Sequence, residues 1–86
     1  MGAQDLLELL RIRPFRPFRI YASDGRIYDI RHPDQALVLR TRVILPFPSN
    51  GEVPERSEHL ALAHIVRAEE IPPEAARANH ASDESL

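Results

Sequence analysis

The sequence predicts a mainly β fold: a small, strongly bent antiparallel sheet or barrel preceded by one short helix. Two stretches support this prediction. Residues 18–31 form two runs of β-branched and aromatic residues around an Asp-Gly pair, which is typical of a hairpin. Residues 36–47 are apolar at both ends of both strand faces, with Arg40 and Arg42 in the middle of one face. We interpret this segment as one long bent strand. Two strands joined near residues 40–42 would give the same pattern.

The helix is predicted at the N-terminus, over residues 3–12. Asp5 lies early in this segment and Arg11 late, as the helix dipole prefers. Pro14 ends the segment, because the residue before a proline avoids helical geometry. A helix this short is marginal alone in water, so its apolar side chains must cover the open side or end of the barrel. The side chains at helical spacing are Leu6, Leu9 and Leu10.

The register of the first hairpin follows from its turn. A two-residue loop at Asp24 and Gly25 would pair Ile20 with Asp29 and place a carboxylate on the apolar face. A three-residue loop, with Gly25 in the left-handed conformation, gathers the large apolar side chains on one face and matches opposite charges on the other. The predicted register therefore pairs Phe18 with Ile30, Ile20 with Tyr28 and Arg19 with Asp29.

The C-terminal half is less clearly patterned. Residues 58–71 have the composition of a helix, yet their apolar side chains alternate as in two short strands. We favour strands, because a hairpin and one long strand need further partners to complete a sheet. Two prolines at residues 72–73 end the fold, so we predict one domain over residues 1–73. The small polar residues 74–86 are predicted to form a disordered acidic tail.

The chain is short and lacks cysteine. Its 86 residues allow one domain with a small core. The absence of Cys excludes a disulfide framework, a thiol nucleophile and a Cys-type zinc site, and we expect no metal and no cofactor. No apolar run matches a membrane span, and no signal-peptide pattern occurs. We therefore expect a soluble, cytoplasmic protein that gains buried area by forming a homo-oligomer.

The charge is nearly balanced, at −2, but unevenly distributed. Residues 11–42 contain eight Arg and three Asp, whereas residues 43–86 contain three Arg and eight acidic residues. One interpretation is a basic surface for phosphate groups, tempered by an acidic tail. The interpretation that we favour is local pairing, in which hairpin arginines such as Arg19 and Arg31 pair with nearby Asp.

Several short stretches together carry a family resemblance. They are Gln4-Asp5-Leu6, Leu9-Leu10-Arg11, Ile20-Tyr21, Gly25, residues 34–39 and Ala63-His64-Ile65. In content and order they resemble the Sm-like family, and within it the bacterial RNA chaperone Hfq. The resemblance spans about residues 4–72 and implies a small Sm-like or SH3-like barrel. The sequence is also similar to short uncharacterised bacterial proteins with a Ser-Asp-Gly-Arg and Arg-His-Pro-Asp pattern. This second similarity implies no particular activity.

The Sm-like resemblance implies a ring of barrels joined through edge strands, with RNA bound around the pore. It places Gln35 in the base-binding turn and His64 in the second conserved patch of the family. The stacking aromatic and the lysine beside these positions are replaced by Ala36 and Ala63, and stacking contributes about 1–3 kcal/mol per base. RNA binding is therefore expected to use phosphate contacts instead. The further candidate residues for it are Arg26, Arg40 and Arg42.

The residues do not predict an enzyme, because no zinc spacing, phosphate loop or positioned nucleophile occurs. The leading hypothesis is a non-enzymatic, oligomerising Sm-like module that binds RNA through an Arg-rich surface. The alternative is a small barrel that acts as a protein–protein interaction or structural oligomerisation module. RNA binding predicts a basic concave surface that contains Arg40 or Arg42. Protein binding predicts an exposed apolar groove around Phe15, Phe18 or Phe47.

Overall fold

The computed structural model describes residues 1–48 and 53–72. The predicted tail, residues 74–86, lies outside the described residues. The described chain is mainly β with one short N-terminal helix, which confirms the predicted class. Two short 3₁₀ turns accompany the strands, the first at Pro33–Gln35 and the second at Leu62–His64. The helix and strands are α1 Ala3–Arg11, β1 Phe18–Ala22, β2 Ile27–Ile30, β3 Leu37–Val38, β4 Arg42–Phe47, β5 Arg56–Ala61 and β6 Ile65–Glu70.

The strands form two antiparallel sheets of three strands each. The first sheet has the order β2-β1-β6, and the second has the order β3-β4-β5. Over residues 1–48 and 53–72, no strand pairs with the outer edge of β2, and the two sheets are not closed into a barrel. The outer edges of β2 and β6 therefore border the first sheet on its two sides.

The first hairpin has the predicted register. Phe18 pairs with Ile30, Ile20 with Tyr28 and Arg19 with Asp29. The Ala22 N–H donates to the Arg26 carbonyl at 2.9 Å, which closes a three-residue loop. Gly25 has φ +90°, a conformation that residues with a Cβ rarely adopt, so glycine supplies the bulge that this register needs.

The prediction of one long strand over residues 36–47 is wrong, and the alternative of two strands is confirmed. A tight turn separates β3 from β4, with the Leu39 N–H donating to the Arg42 carbonyl at 2.7 Å. Arg40 and Arg42 are exposed at this turn. A continuous strand would also keep both arginines on the face opposite the buried Val43 and Leu45, so their exposure fits either arrangement. The break is set by the Thr41 carbonyl between them, which accepts the hydrogen bond of the Leu62 N–H.

Residues 58–71 form strands, as predicted, and the helical alternative is wrong. The second 3₁₀ turn lies between β5 and β6 and moves the chain from one sheet to the other. The Leu62 N–H at its start donates to the Thr41 carbonyl at 2.9 Å. The turn interrupts the strand alternation, so that Leu60, Leu62 and Ile65 are all buried.

One hydrophobic core lies between the two sheets and α1. Phe18 and Ile20 enter it from β1, and Val43 enters it from β4, each with no exposed surface. Leu6 and Leu10 enter it from the helix and are 0% and 7% exposed. Leu6 and Leu10 therefore cover the two sheets, although the sheets do not form the closed barrel whose open side or end these leucines were predicted to cover.

Candidate interaction groove

A cavity of about 500 Å³ lies between the outer edge of β2 and the second half of β4. We call this cavity the groove. Ile27, Tyr28 and Asp29 of β2 line one wall. Pro46 and Phe47 line the other wall. The groove exists because the two sheets share a core without pairing at β2. Its volume lies within the range of known ligand pockets.

The backbone of β2 offers unpaired hydrogen-bonding groups at the groove. Residues along an antiparallel strand alternate between facing the partner strand and facing away. The hydrogen bond from the Ala22 N–H to the Arg26 carbonyl shows that Arg26 faces the partner strand. By alternation, the backbone N–H and C=O groups of Tyr28 and Ile30 also face β1. The N–H and C=O groups of Ile27 and Asp29 therefore point to the open edge.

The C-terminal end of this open edge is closed by Gln35. The Gln35 side-chain oxygen accepts hydrogen bonds from the N–H groups of Arg31 at 2.7 Å and His32 at 3.1 Å. Gln35 belongs to the first 3₁₀ turn and also lines the groove. The open edge of β2 is thus short, with Ile27 and Asp29 as its two outward-facing residues.

Apolar and aromatic side chains face the groove from both walls. The rings of Tyr28 and Phe47 lie 6.3 Å apart and are tilted by 54°. The Arg56 guanidinium lies 5.0 Å from the Phe47 ring centroid, a cation–π contact that holds the ring from the β5 side. Ile27 is 55% exposed at the mouth of the groove. An apolar side chain entering the groove would meet these groups first.

The carboxylate that lines the groove, Asp29, is paired with arginines of the same chain. Arg19 donates to both carboxylate oxygens of Asp29, at 2.6 and 3.2 Å, and Arg31 reaches the same carboxylate at 3.4 Å. The hydrogen bonds from Arg19 hold the pKa of Asp29 below its usual value, against the opposing effect of partial burial. Asp29 therefore stays ionised, and it fixes the position of Arg19.

A second ion pair joins the hairpin to the other sheet. Arg26 donates to Glu58 at 2.6 Å, and Arg56 lies 3.8 Å from the same carboxylate. The pKa of Arg26 is raised by the Tyr28 hydroxyl first and by Glu58 second. Glu58 is the more buried partner, with its side chain 25% exposed. This pair ties the start of β2 to β5 at one end of the groove.

The structure places the five predicted site residues at three positions: the loop of the first hairpin, the C-terminal end of β2 and the β3–β4 turn. Arg26 and Gln35 lie at the two ends of β2, beside the groove. His64 lies in the second 3₁₀ turn, with its Nδ1 atom 3.2 Å from the Ser23 hydroxyl. Arg40 and Arg42 lie in the β3–β4 turn, which the Leu62 N–H joins to that same 3₁₀ turn. The Ser23 contact places His64 beside the hairpin loop that carries Arg26, whereas Gln35 lies beyond the other end of β2.

Most arginines in the described part of the chain have an acidic partner. The pairing predicted for Arg19 and Arg31 is present, with Asp29 as the shared carboxylate. Within residues 1–48 and 53–72, four exposed arginines have no ion pair, namely Arg11, Arg13, Arg40 and Arg42. Arg13 donates instead to the backbone carbonyls of Leu10 and Ile12. The other arginines with an acidic partner are Arg16, Arg26, Arg56 and Arg67.

The three phenylalanines differ in their relation to the groove. Phe47 lines it, whereas Phe18 is fully buried in the core. Phe15 packs against Phe18, with ring centroids 6.1 Å apart. Sequence reasoning named Phe47 but missed Tyr28 and Ile27 on the opposite wall. Their approach to Phe47 depends on the packing of two sheets, and no local sequence pattern signals it.

Comparisons with known proteins add no family or relative. Neither the protein-family models, nor the curated proteins, nor the solved structures contain a match to this chain. Among the described residues, no three His, Cys, Asp or Glu side chains come together as metal ligands would. No helix in the same residues has the length and apolar character needed to cross a membrane.

Proposed function

We propose that the protein is a non-enzymatic interaction module that binds an extended segment of a partner protein in the groove. The observation that carries this proposal is the open edge of β2 beside an aromatic-walled cavity. We further propose that the scaffold is an incompletely closed barrel of Sm-like or SH3-like type. The shared core of the two sheets and the return of β6 to β1 support that assignment.

Binding would proceed by strand addition. The outward N–H and C=O groups of Ile27 and Asp29 offer two donors and two acceptors to an extended backbone. Such main-chain bonds provide affinity in strand-addition complexes, while pockets for alternate side chains provide specificity. Gln35 closes one end of the edge, and the pair of Arg26 with Glu58 closes the other. The groove therefore suits a short segment.

The preferred segment carries an apolar side chain at the position that faces the groove. Tyr28 and Phe47 present ring faces and edges to this space, and Leu45 and Pro46 extend its apolar lining. The acidic side chain at the groove, Asp29, is already paired with Arg19 and Arg31. Since its charge is compensated within the chain, we expect apolar contacts to select the ligand more than charge does.

The test is a selection of displayed random peptides of about seven residues, close to the usual length of a strand. The full chain serves as bait, and the selected peptides are then titrated against two variants. Ile27→Glu places a charge at the mouth of the groove, on a side chain that is 55% exposed and contributes little to folding. Leu37→Glu is the matched control, because Leu37 is similarly exposed, at 58%, but does not line the groove.

We expect the selected peptides to bind the wild-type chain and the Leu37→Glu variant with equal affinity. Binding to Ile27→Glu is expected to fall by about tenfold or more, since an apolar contact is replaced by a buried charge. Failure to select any peptide would overturn the proposal. Equal binding to both variants would overturn it as well, because the ligand would then lie elsewhere.

A second candidate function is RNA binding at the β3–β4 turn. The observation that favours it is that Arg40 and Arg42 are exposed and, within residues 1–48 and 53–72, have no acidic partner. Two free guanidinium groups on one turn suit neighbouring phosphates. Residues 39–43 include no aromatic residue for base stacking, so we expect this binding to be weak and unselective.

Titration with a mixed pool of short RNAs at several salt concentrations tests this candidate. Two phosphate contacts predict a slope of about −1.4 for log affinity against log salt. The double variant Arg40→Ala with Arg42→Ala should lose the binding, whereas Arg26→Ala, which removes an arginine already paired with Glu58, should retain it. Loss in both variants, or no binding at low salt, would exclude this site.

A further inference from the structure

Among residues 1–48 and 53–72, β6 is the second edge of the first sheet that has no partner strand. It lies outermost in the order β2-β1-β6, on the side opposite the groove. The Ile71 N–H donates to the Pro17 carbonyl at 2.9 Å, so Ile71 faces β1. By strand alternation, Arg67 and Glu69 also direct their backbone groups to β1. The N–H and C=O groups of Ala68 and Glu70 therefore point outward.

We propose that β6 is a self-association edge, through which two copies of this chain pair about a two-fold axis at Ala68. Ala68 would lie opposite Ala68 of the partner subunit and exchange both backbone hydrogen bonds with it. Arg67 would lie opposite Glu69 of the partner subunit, and Glu69 opposite Arg67 of the partner subunit. The two first sheets would then form one continuous antiparallel sheet of six strands.

Charge complementarity selects this register. An axis at Arg67 would place two guanidinium groups opposite each other, and an axis at Glu69 would place two carboxylates opposite each other. Opposite charges across strands are favourable, and like charges directly opposite are destabilising. Of the three registers centred on these residues, the one at Ala68 pairs opposite charges. A two-fold arrangement also needs a surface complementary to itself, and this register provides it.

The side chains that would cross the interface are already held in position. The Arg67 guanidinium lies 4.3 Å from the Tyr21 ring centroid, and its Nε atom lies 2.9 Å from the Glu69 carboxylate. Both side chains therefore occupy one face of β6, where pairing would create a ring of four alternating charges. The interface would also cover Val66, which is 66% exposed.

The other charged residue of this edge, Glu70, has a partner in its own chain. Arg16 lies 3.6 Å from the Glu70 carboxylate. In the proposed register Glu70 lies opposite the apolar Val66 of the partner subunit, so no second acidic group faces it. No like-charge pair is therefore created by the pairing.

Strand β5 carries the same Arg-x-Glu pattern, at Arg56 and Glu58, and provides the matched control. Glu58 is held by Arg26 at 2.6 Å and is 25% exposed, so it is not free to cross an edge. The equivalent residue of β6, Glu69, is bound by Arg67 alone among the described residues and is 50% exposed. We therefore expect self-association to depend on β6 and not on β5.

Sedimentation equilibrium over a range of concentrations tests the proposal with four full-length variants. Arg67→Glu and Glu69→Arg should each weaken the dimer by about tenfold or more, because each creates like-charge pairs across the axis. The double variant with both changes restores the opposite charges and should restore the dimer. Arg56→Glu should leave the mass unchanged. High salt should reduce the differences between the variants.

A wild-type chain that stays monomeric at all concentrations would overturn the proposal. A dimer that ignores the Arg67 and Glu69 changes, or that Arg56→Glu dissociates, would overturn it as well, since another surface would then be used. Amide exchange of the wild-type chain gives a result that does not depend on the folding of any variant. The amides of Ala68 and Glu70 should become protected as the concentration rises, and unchanged exchange there would contradict the pairing.

Discussion

The substitution Leu6→Ala tests whether α1 is part of the fold. Leu6 has no exposed surface and belongs to the core that both sheets share. Truncating a fully buried leucine to alanine removes apolar burial and leaves a cavity, which costs about 3 kcal/mol. The free energy of unfolding of a small domain is only about 5 kcal/mol or somewhat more. The variant should therefore be close to unfolding at moderate temperature.

The neighbouring residue supplies the control. Leu7 lies in the same helix but is only partly buried and does not pack against the core. Since Leu7→Ala makes the same chemical change with the same helix propensity, the difference between the two variants isolates burial. We expect Leu7→Ala to cost less than about 1 kcal/mol.

Thermal unfolding followed by circular dichroism measures both variants. At this chain length, about 3 kcal/mol corresponds to a fall in melting temperature of about 15 °C. The protein concentration must be equal and low, because any self-association adds to the apparent stability. Equal melting temperatures for Leu6→Ala and Leu7→Ala would show that α1 does not pack on the core through Leu6.

Two further predictions concern the first hairpin. Gly25→Ala should destabilise the protein by about 1 kcal/mol, because alanine is strained at φ +90°. The control Gly2→Ala, at φ −84°, should change the free energy of unfolding by less than half of that. Urea unfolding measures both variants. Asp29 has a lowered pKa in the folded state, so the stability from its pair with Arg19 is present above the ordinary pKa and is lost as the pH falls through the lowered value. This contribution is at most about 1 kcal/mol, because the side chains of Arg19 and Asp29 are 36% and 30% exposed. Asp29→Asn should therefore lower the stability at pH 7 and flatten its decline as the pH falls below the ordinary carboxyl pKa, and a decline as steep as that of the wild type would count against the pair.

The hairpin could be predicted because its determinants are local. The Asp-Gly pair marks the turn, and the grouping of apolar side chains together with the pairing of Arg19 and Asp29 distinguishes the two possible registers. Both features lie within one hairpin, with Arg19 and Asp29 ten residues apart. The same holds for α1, whose leucine spacing and flanking proline define it.

The break between β3 and β4 could not be decided from the sequence. Arg40 and Arg42 fit the exposed face of a bent strand as well as they fit a turn. The turn is fixed from outside this segment, by the hydrogen bond from the Leu62 N–H to the Thr41 carbonyl. Contacts over such a separation depend on the assembled fold, which local patterns do not report.

The groove was predictable only in part. Phe47 stood out as one of three phenylalanines able to form an apolar surface, but composition could not say which of them is exposed. Phe18 is buried in the core and Phe15 packs against it, while Phe47 packs against the core and also meets Tyr28 at the groove. The wall formed by Ile27 and Tyr28 depends on how two sheets meet without pairing at β2.

The most direct test of strand addition at β2 is amide hydrogen exchange along this strand, since the binding requires a free edge there. In the unliganded protein, the amides of Tyr28 and Ile30 should exchange slowly because they face β1, while those of Ile27 and Asp29 should exchange quickly. Addition of a selected peptide should slow exchange at Ile27 and Asp29. Slow exchange at all four positions without peptide would show that the β2 edge is not free. A bound peptide that leaves Ile27 and Asp29 unprotected would show that it does not bind by strand addition.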